Sequence, residues 1–160
     1  MACDIQNAYL TDKCREKIWN IVGPEFGSDA GKFMIVVRAL YGLKYSGAAF
    51  GALLSKTLYN IGYSPSKADP DVWLRPAVKP DGFEYYEIIL CYVDDVLSIS
   101  HDARKTTKGI QHKFKLKNDK IPELENYLGT GLSKIVTVNG QECWSMLPEK
   151  YCKAAVLNFE

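Results

Sequence analysis

The sequence predicts an α+β fold: an antiparallel sheet of split βαβ connectivity, helices packed on one face of it, and a hairpin near the C-terminus. Three observations predict it. Tyr85 to Tyr92 and Val96 to Ser100 are strongly β-forming runs separated by three residues, the signature of a hairpin with a tight turn. Between Ser46 and Gly62, the residues Phe50, Leu53, Leu54, Leu58 and Ile61 recur at helical spacing. Along the chain, strand and helix signals alternate as βαββαβ with extra strands.

Each element follows from local chemistry. Cys3 to Leu10 reads as a first strand and Lys32 to Val37 as a short second one. After the turn-like Tyr41-Gly42, Ser46 is an N-cap candidate for a helix running to about Asn60, with Gly62 as its stop. Strands follow near Val72 to Arg75, Tyr85 to Tyr92 and Val96 to Ser100, the first two joined by a turn at Pro80-Asp81-Gly82. Asp102 to Lys117 reads as a second helix. Tyr127 to Val138 and Gln141 to Met146 form a hairpin around Asn139-Gly140, and a short helix starts near Pro148.

Composition bounds the class. With 160 residues, 47% of them hydrophobic, the chain can bury a core as one compact domain. No apolar run approaches the roughly 20 residues needed to span a bilayer, and the N-terminus lacks a basic region followed by an apolar signal core. The reading is therefore soluble and intracellular, with no membrane partner. A formal net charge of +1 means that any polyanion must be held by a local basic patch. Five cysteines, odd in number and without C-x-x-C spacing, point to reduced thiols rather than disulfides or zinc.

The chemistry concentrates at Asp94-Asp95, between the two β-forming runs. Adjacent carboxylates repel and raise one another's pKa unless a cation lies between them. Oxygen-only ligands suit Mg²⁺ or Mn²⁺, which keep several waters and complete their shell with substrate phosphates. The plainer reading of the pair is an ordinary hairpin with a polar turn.

The tetrad Tyr92-Val93-Asp94-Asp95 resembles the Tyr-x-Asp-Asp box of reverse transcriptases, and other blocks follow in that family's order. Asp4-Ile5-Gln6-Asn7-Ala8-Tyr9 resembles the box that supplies a third carboxylate. Ala39-Leu40-Tyr41-Gly42-Leu43-Lys44 resembles the Leu-Tyr-Gly-Leu-Lys motif of Ty1/copia elements, and the segment from Gly62 to Asp71 is similar to that class's Gly-Phe-x-x-Ser-x-x-Asp-Pro segment. Tyr127-Leu128-Gly129, Ser145 and the stretch from Tyr151 to Phe159 are similar to its downstream blocks.

The resemblance implies a polymerase palm of ferredoxin-like layout over residues 1–160, with a core at 1–125 carrying the carboxylates and a primer-grip or connection-like hairpin from 126 onward. It implies an RNA-directed DNA polymerase that joins dNTPs to a primer 3′-hydroxyl on an RNA or DNA template. Two Mg²⁺ or Mn²⁺ ions, about 3.5 to 4 Å apart in such sites, would be held by Asp4, Asp94, Asp95 and the Ile5 carbonyl. Tyr9 takes the position of the aromatic gate under the incoming sugar, where dNTP contacts also fall on Tyr41, Gly42 and Lys44; by residue type alone Tyr9 equally fits a core aromatic. Primer-template contacts fall on Tyr92, Val93, Tyr127 and Gly129. Fingers, thumb and RNase H regions of the same polyprotein are implied outside these residues, and a fingers-facing surface left bare would favour self-association.

The chain departs from the copia pattern after Lys44. Tyr45-Ser46-Gly47-Ala48-Ala49-Phe50 replaces the common Gln-Ser-Pro-Arg-x-Trp, so phosphate or template contacts made there by Gln and Arg are lost. The lysine-rich stretch from Arg104 to Lys120 reads as a solvated helix face, with phosphate contact as its functional alternative. A second function, a decayed palm retained as a nucleic-acid- or protein-binding module, is set against the intact Asp4, Asp94, Asp95 and Tyr9. A third, a nucleotidyl cyclase of similar fold, would make the copia blocks accidental.

Overall fold

The computed structural model describes residues 1–117 and 126–158. In chain order the elements are β1 (Ala2–Asp4), β2 (Trp19–Ile21), β3 (Phe33–Ile35), α1 (Ser46–Asn60), β4 (Ser64–Pro65), β5 (Val72–Val78), β6 (Glu84–Tyr92), β7 (Asp95–Ile99), α2 (Ala103–Gln111), β8 (Asn126–Tyr127), β9 (Thr130–Val136), β10 (Glu142–Leu147) and α3 (Glu149–Leu157). The fold is mixed α+β with antiparallel sheets. Backbone contacts divide it into two compact units, Asn7–Asn60 and a unit formed by Met1–Gln6 with Ile61–Glu160. Among the described residues no helix is long and apolar enough to cross a membrane.

The larger unit is built on a five-stranded sheet of order β1-β7-β6-β5-β4. Strand alternation gives it two faces. Val96, Ser98, Ile89 and Trp73 lie on one, all buried, and α2 packs against β7 with Thr106, Thr107 and Ile110 buried. Asp102 caps that helix, its carboxylate accepting from the Lys105 N–H at 3.2 Å. On the other face Ala2, Leu97 and Tyr127 form a buried cluster with Leu90 and Leu132 against it, joining the sheet to the three-stranded sheet β10-β9-β8.

In the smaller unit β2 pairs with β3, and α1 buries Ala49, Phe50, Leu54 and Leu58, the expected helical stripe. Ser46 begins that helix, but its hydroxyl donates to the Leu40 carbonyl at 2.7 Å. The strand at Trp19–Ile21 was not anticipated from the sequence. Its side chains face solvent, so no buried stripe marked it.

Two boundaries differ from the sequence reading for physical reasons. The first strand ends at Asp4 rather than Leu10, because Asn7 adopts the left-handed region at φ 53° and leads into a 3-10 turn over Ala8–Thr11. The second helix ends at Gln111 rather than Lys117. Beyond it Lys113-Phe114-Lys115-Leu116-Lys117 has a period of two, with Phe114 and Leu116 buried and the lysines exposed, and Leu116 bridges Ile5 in antiparallel fashion.

One buried polar network ties β5, β6, β7's end and α2 together. The Arg75 Nε donates to Glu87 Oε2 at 2.6 Å, and its guanidinium lies 4.5 Å from the centre of the Tyr63 ring. Ser100 donates to Glu87 Oε1 at 2.6 Å, and the Tyr63 hydroxyl lies 3.2 Å from Glu87 and 2.9 Å from Thr106. Burial pushes the Glu87 carboxyl up, but the hydrogen bonds from Ser100 and Arg75 and the charge of Arg75 outweigh it, leaving it below its usual 4.5. A depressed carboxyl contributes stability above its unfolded pKa and loses it as the pH falls through the folded one. Glu87→Gln is therefore expected to melt below wild type at pH 7 by about 2 kcal/mol, less than the roughly 3–5 for a fully buried pair because Arg75 keeps a quarter of its side chain in water. Thermal melts from pH 7 down to pH 3 should show the two curves converging below about 4.5; parallel curves would remove the network from the stability account.

Candidate active site

The acidic site is assembled by strand register. β1 lies antiparallel to β7 with Ala2 opposite Leu97, Cys3 opposite Val96 and Asp4 opposite Asp95. Side chains of directly opposed residues leave the sheet on the same face, so the carboxylates of Asp4 and Asp95 stand side by side although they lie far apart in sequence. The Ile5 N–H donates to the Asp94 carbonyl at 2.9 Å, extending the contact to the second acid. Ile5 itself is fully buried, and its carbonyl leaves the strand on the same edge as its N–H, toward Asp94.

Tyr92 pairs with Asp95, so Val93 and Asp94 form a two-residue hairpin turn and Asp95 is the first residue of β7. Val93 has φ 52° while Asp94 has negative φ, the pattern of a type II′ turn, whose first central position suits glycine. A β-branched residue there is strained. A second tight turn carries Leu128 at φ 50° and Gly129 at φ 74°, both positive as in type I′, between the paired Tyr127 and Thr130.

The second turn and the start of β7 meet at one cleft. Asp4, Asp95, Asn126, Tyr127, Leu128 and Gly129, with Ala2 and Cys3, line an open cleft of 240 Å³. Two of the expected primer-template residues, Tyr127 and Gly129, thus share a cleft with two of the expected metal ligands. Burial, then the neighbouring charges of Asp4 and Asp94, push the Asp95 carboxyl up, and Lys117 works against them. Burial raises the Tyr127 phenol to about 12, so it stays a hydrogen-bond donor at neutral pH. The Cys3 thiol, also raised to about 12 by burial, is protonated and a poor ligand.

Carboxylate and carbonyl oxygens without imidazole or thiolate fit a hard divalent cation. Among the described residues no three acidic, histidine or cysteine side chains are placed together to hold a metal ion. Asp4 is instead met by Lys117, whose Nζ lies 2.9 Å from Asp4 Oδ2. The sequence places Lys117 on a solvated helix face, and the structure instead brings it to Asp4. The period of two in Lys113 to Lys117 was the available signal that it leaves a strand-like segment on the acids' side.

The remaining expected residues fall in the unit Asn7–Asn60 or at the turn's flank. Tyr9 sits in the 3-10 turn, its ring 4.5 Å from that of Tyr41 and edge-on to Phe50 at 6.1 Å. Gly42 has φ 90°, a conformation open to glycine, and the Lys44 ammonium lies 5.7 Å from the Tyr45 ring. Tyr92 and Val93 are exposed beside the acids.

The strain at Val93 can be measured. A left-handed non-glycine residue costs about 1–3 kcal/mol, and glycine at an ordinary position costs about 0.5–1, so Val93→Gly is expected to stabilise the protein by about 1 kcal/mol. Chemical denaturation should show this against Val96→Gly, a fully buried site expected to lose several times as much. A loss at Val93 comparable to that at Val96 would mean the turn is not strained.

Comparison with known proteins follows the same lines. The sequence model of the family described as "Reverse transcriptase (RNA-dependent DNA polymerase)" matches residues 1–145. A curated relative from Arabidopsis thaliana, "Retrovirus-related Pol polyprotein from transposon RE1", is 27% identical over 139 residues, covering 84% of this chain. The chain spans only 9% of that relative's length. No solved structure matches. A family match over nine-tenths of the sequence, joined to the ordered boxes at Asp4–Tyr9, Ala39–Lys44 and Tyr92–Asp95, leads to one conclusion: the chain belongs to the reverse transcriptase (RNA-dependent DNA polymerase) family and carries a region of the Ty1/copia type.

Proposed function

We propose that this region is the palm of an RNA-directed DNA polymerase, with Asp4, Asp94, Asp95 and the Ile5 carbonyl as its divalent-metal ligands. The observation that carries the reading is the register of β1 on β7, which sets Asp4 against Asp95 in the cleft that Tyr127 and Gly129 also line. We read the five-stranded sheet, with the Leu116 segment bridged to Ile5 beyond β1, as a ferredoxin-like palm. A pair of Mg²⁺ or Mn²⁺ ions bound there would supply charge stabilisation for the primer hydroxyl and the pyrophosphate leaving group.

The chain's own residues supply the rest. Asp4 and Asp95 present their carboxyl groups from paired strands, and the short turn holds Asp94 next to them. The Leu128-Gly129 turn, with the protonated Tyr127 phenol behind it, faces the cleft and is suited to position a primer terminus against the acids. The ring of Tyr9, held by Tyr41 and Phe50, is the group we assign to exclude a ribose 2′-hydroxyl. Template, primer and dNTPs are the substrates of this reading, and intracellular particles its setting.

A second reading, a palm that binds nucleic acid without turnover, has one observation in its favour: Asp4 is engaged by Lys117 rather than converging with Asp94. Primer extension on poly(rA)/oligo(dT) with Mg²⁺ or Mn²⁺ separates the two. Orientation of reactants can account for about 7–11 kcal/mol of a barrier, so the 160-residue chain is expected to extend primers weakly or not at all. A chain extended with the upstream region of its polyprotein should extend them, and Asp94→Asn/Asp95→Asn should abolish that activity. Activity that survives the double substitution would defeat the polymerase assignment of these acids, and an extended chain that binds primer-template without extending it would favour the second reading. In the same extended chain, Tyr9→Val is expected to raise the rNTP/dNTP ratio of kcat/KM at least tenfold; an unchanged ratio would leave Tyr9 a packing residue.

A further inference from the structure

Lys117 has no role in the reading above, yet the fold delivers it to the acids. The segment Lys113 to Lys117 leaves α2 and runs beside the residues that follow β1. Its register is set by an apolar pair, Leu116 against Ile5, both buried. Two backbone bonds flank that pair: Gln6 N–H to the Lys115 carbonyl and Lys117 N–H to the Asp4 carbonyl, each 2.9 Å. With Leu116 and Ile5 turned to the core, alternation turns Lys117 and Asp4 to the opposite side together. The Lys117 ammonium then donates to Asp4 Oδ2 at 2.9 Å, and Asp94 and Asp95 also contribute favourable charge at its position.

We infer that Lys117 is a tethered counter-cation of the acidic cluster, occupying Asp4 when no divalent ion is bound and competing with that ion for it. The inference rests on the metal-ligand reading of Asp4, Asp94 and Asp95. An ammonium and a divalent ion draw on the same carboxylate, and their like charges repel when both lie against Asp4, so each weakens the other's hold on it. Because the main chain of Lys117 is bonded to the main chain of Asp4, the competitor cannot diffuse away, and its local concentration is fixed by the fold. Without it Asp4 and Asp95, set opposite one another by strand register, would hold like charge on one face of the sheet with no counter-charge bonded to Asp4. Lys117 is thus a positioning residue: it keeps Asp4 oriented and the metal-free sheet edge closed, at the expense of affinity for the first ion.

The test is Mn²⁺ binding, read from the loss of the free Mn²⁺ EPR signal on titration at low salt. Wild type, Lys117→Met, Lys115→Met and Asp94→Asn are compared. Lys115 is also exposed, two residues away, and controls for a general change of field. Lys117→Met is expected to bind Mn²⁺ about threefold to fivefold more tightly than wild type, the scale of an exposed ion pair, with Lys115→Met close to wild type. Binding visible in Lys117→Met alone and removed by adding Asp94→Asn would support the inference equally. Unchanged or weaker binding by Lys117→Met, or an equal gain in Lys115→Met, would overturn it while leaving the metal site standing. Binding that Asp94→Asn leaves intact in every background would overturn the metal reading and the inference with it.

Discussion

The antiparallel pairing of β1 with β7 is the constraint on which the site depends, because it sets Asp4 opposite Asp95 across a separation of most of the chain. Its register is decided by burial. Cys3, Ile5 and Val96 go to the core, so Asp4 and Asp95 must go to the other face. A slip of one residue would send Asp4 into the apolar interior and bring Ile5 into the cleft, at a cost that no turn chemistry could offset. The placement of the acids is therefore enforced by the apolar residues between them.

Strain and like charge collect at the same place. Val93 and Leu128 hold left-handed conformations, and burial and then two neighbouring acids push the Asp95 carboxyl up. Elsewhere in the larger unit the Glu87 network shows the opposite balance: its carboxylate takes hydrogen bonds from Arg75, Ser100 and Tyr63 and sits below its usual pKa. Such a division is expected of a site held ready for charged ligands. A well-packed scaffold over-determines a few unfavourable conformations that would not persist alone. Lys117 moderates the imbalance with a charge that the backbone delivers.

The smaller unit carries a different imbalance. Trp19, Ile21, Phe33 and Ile35 fall on one face of the β2–β3 ribbon and are all largely exposed, with Trp19 and Phe33 in edge contact at 5.2 Å. Exposed apolar ribbons of this kind are covered in larger assemblies.

Much of this was legible in the sequence for identifiable reasons. The strands at β5, β6, β7, β9 and β10 are β-rich runs bounded by turn residues, and the buried stripe of α1 keeps its helical period. Those signals are local, and they fixed element type along with the boxes at Asp4, Asp94 and Asp95 that carry the family resemblance. The β2 strand escaped notice because its side chains are exposed and carry no pattern of burial. The segment Lys113 to Lys117 continues the second helix by sequence, and only the burial of Phe114 and Leu116 against the core gives it a period of two. What the sequence determined was the inventory of elements, the acidic ligand candidates and the family. The tertiary structure alone decided that Asp4 faces Asp95, that Tyr127 and Gly129 share their cleft, and that Lys117 neutralises Asp4. Those are long-range pairings, chosen by which apolar residues are buried together, and no local propensity encodes the partner of a strand.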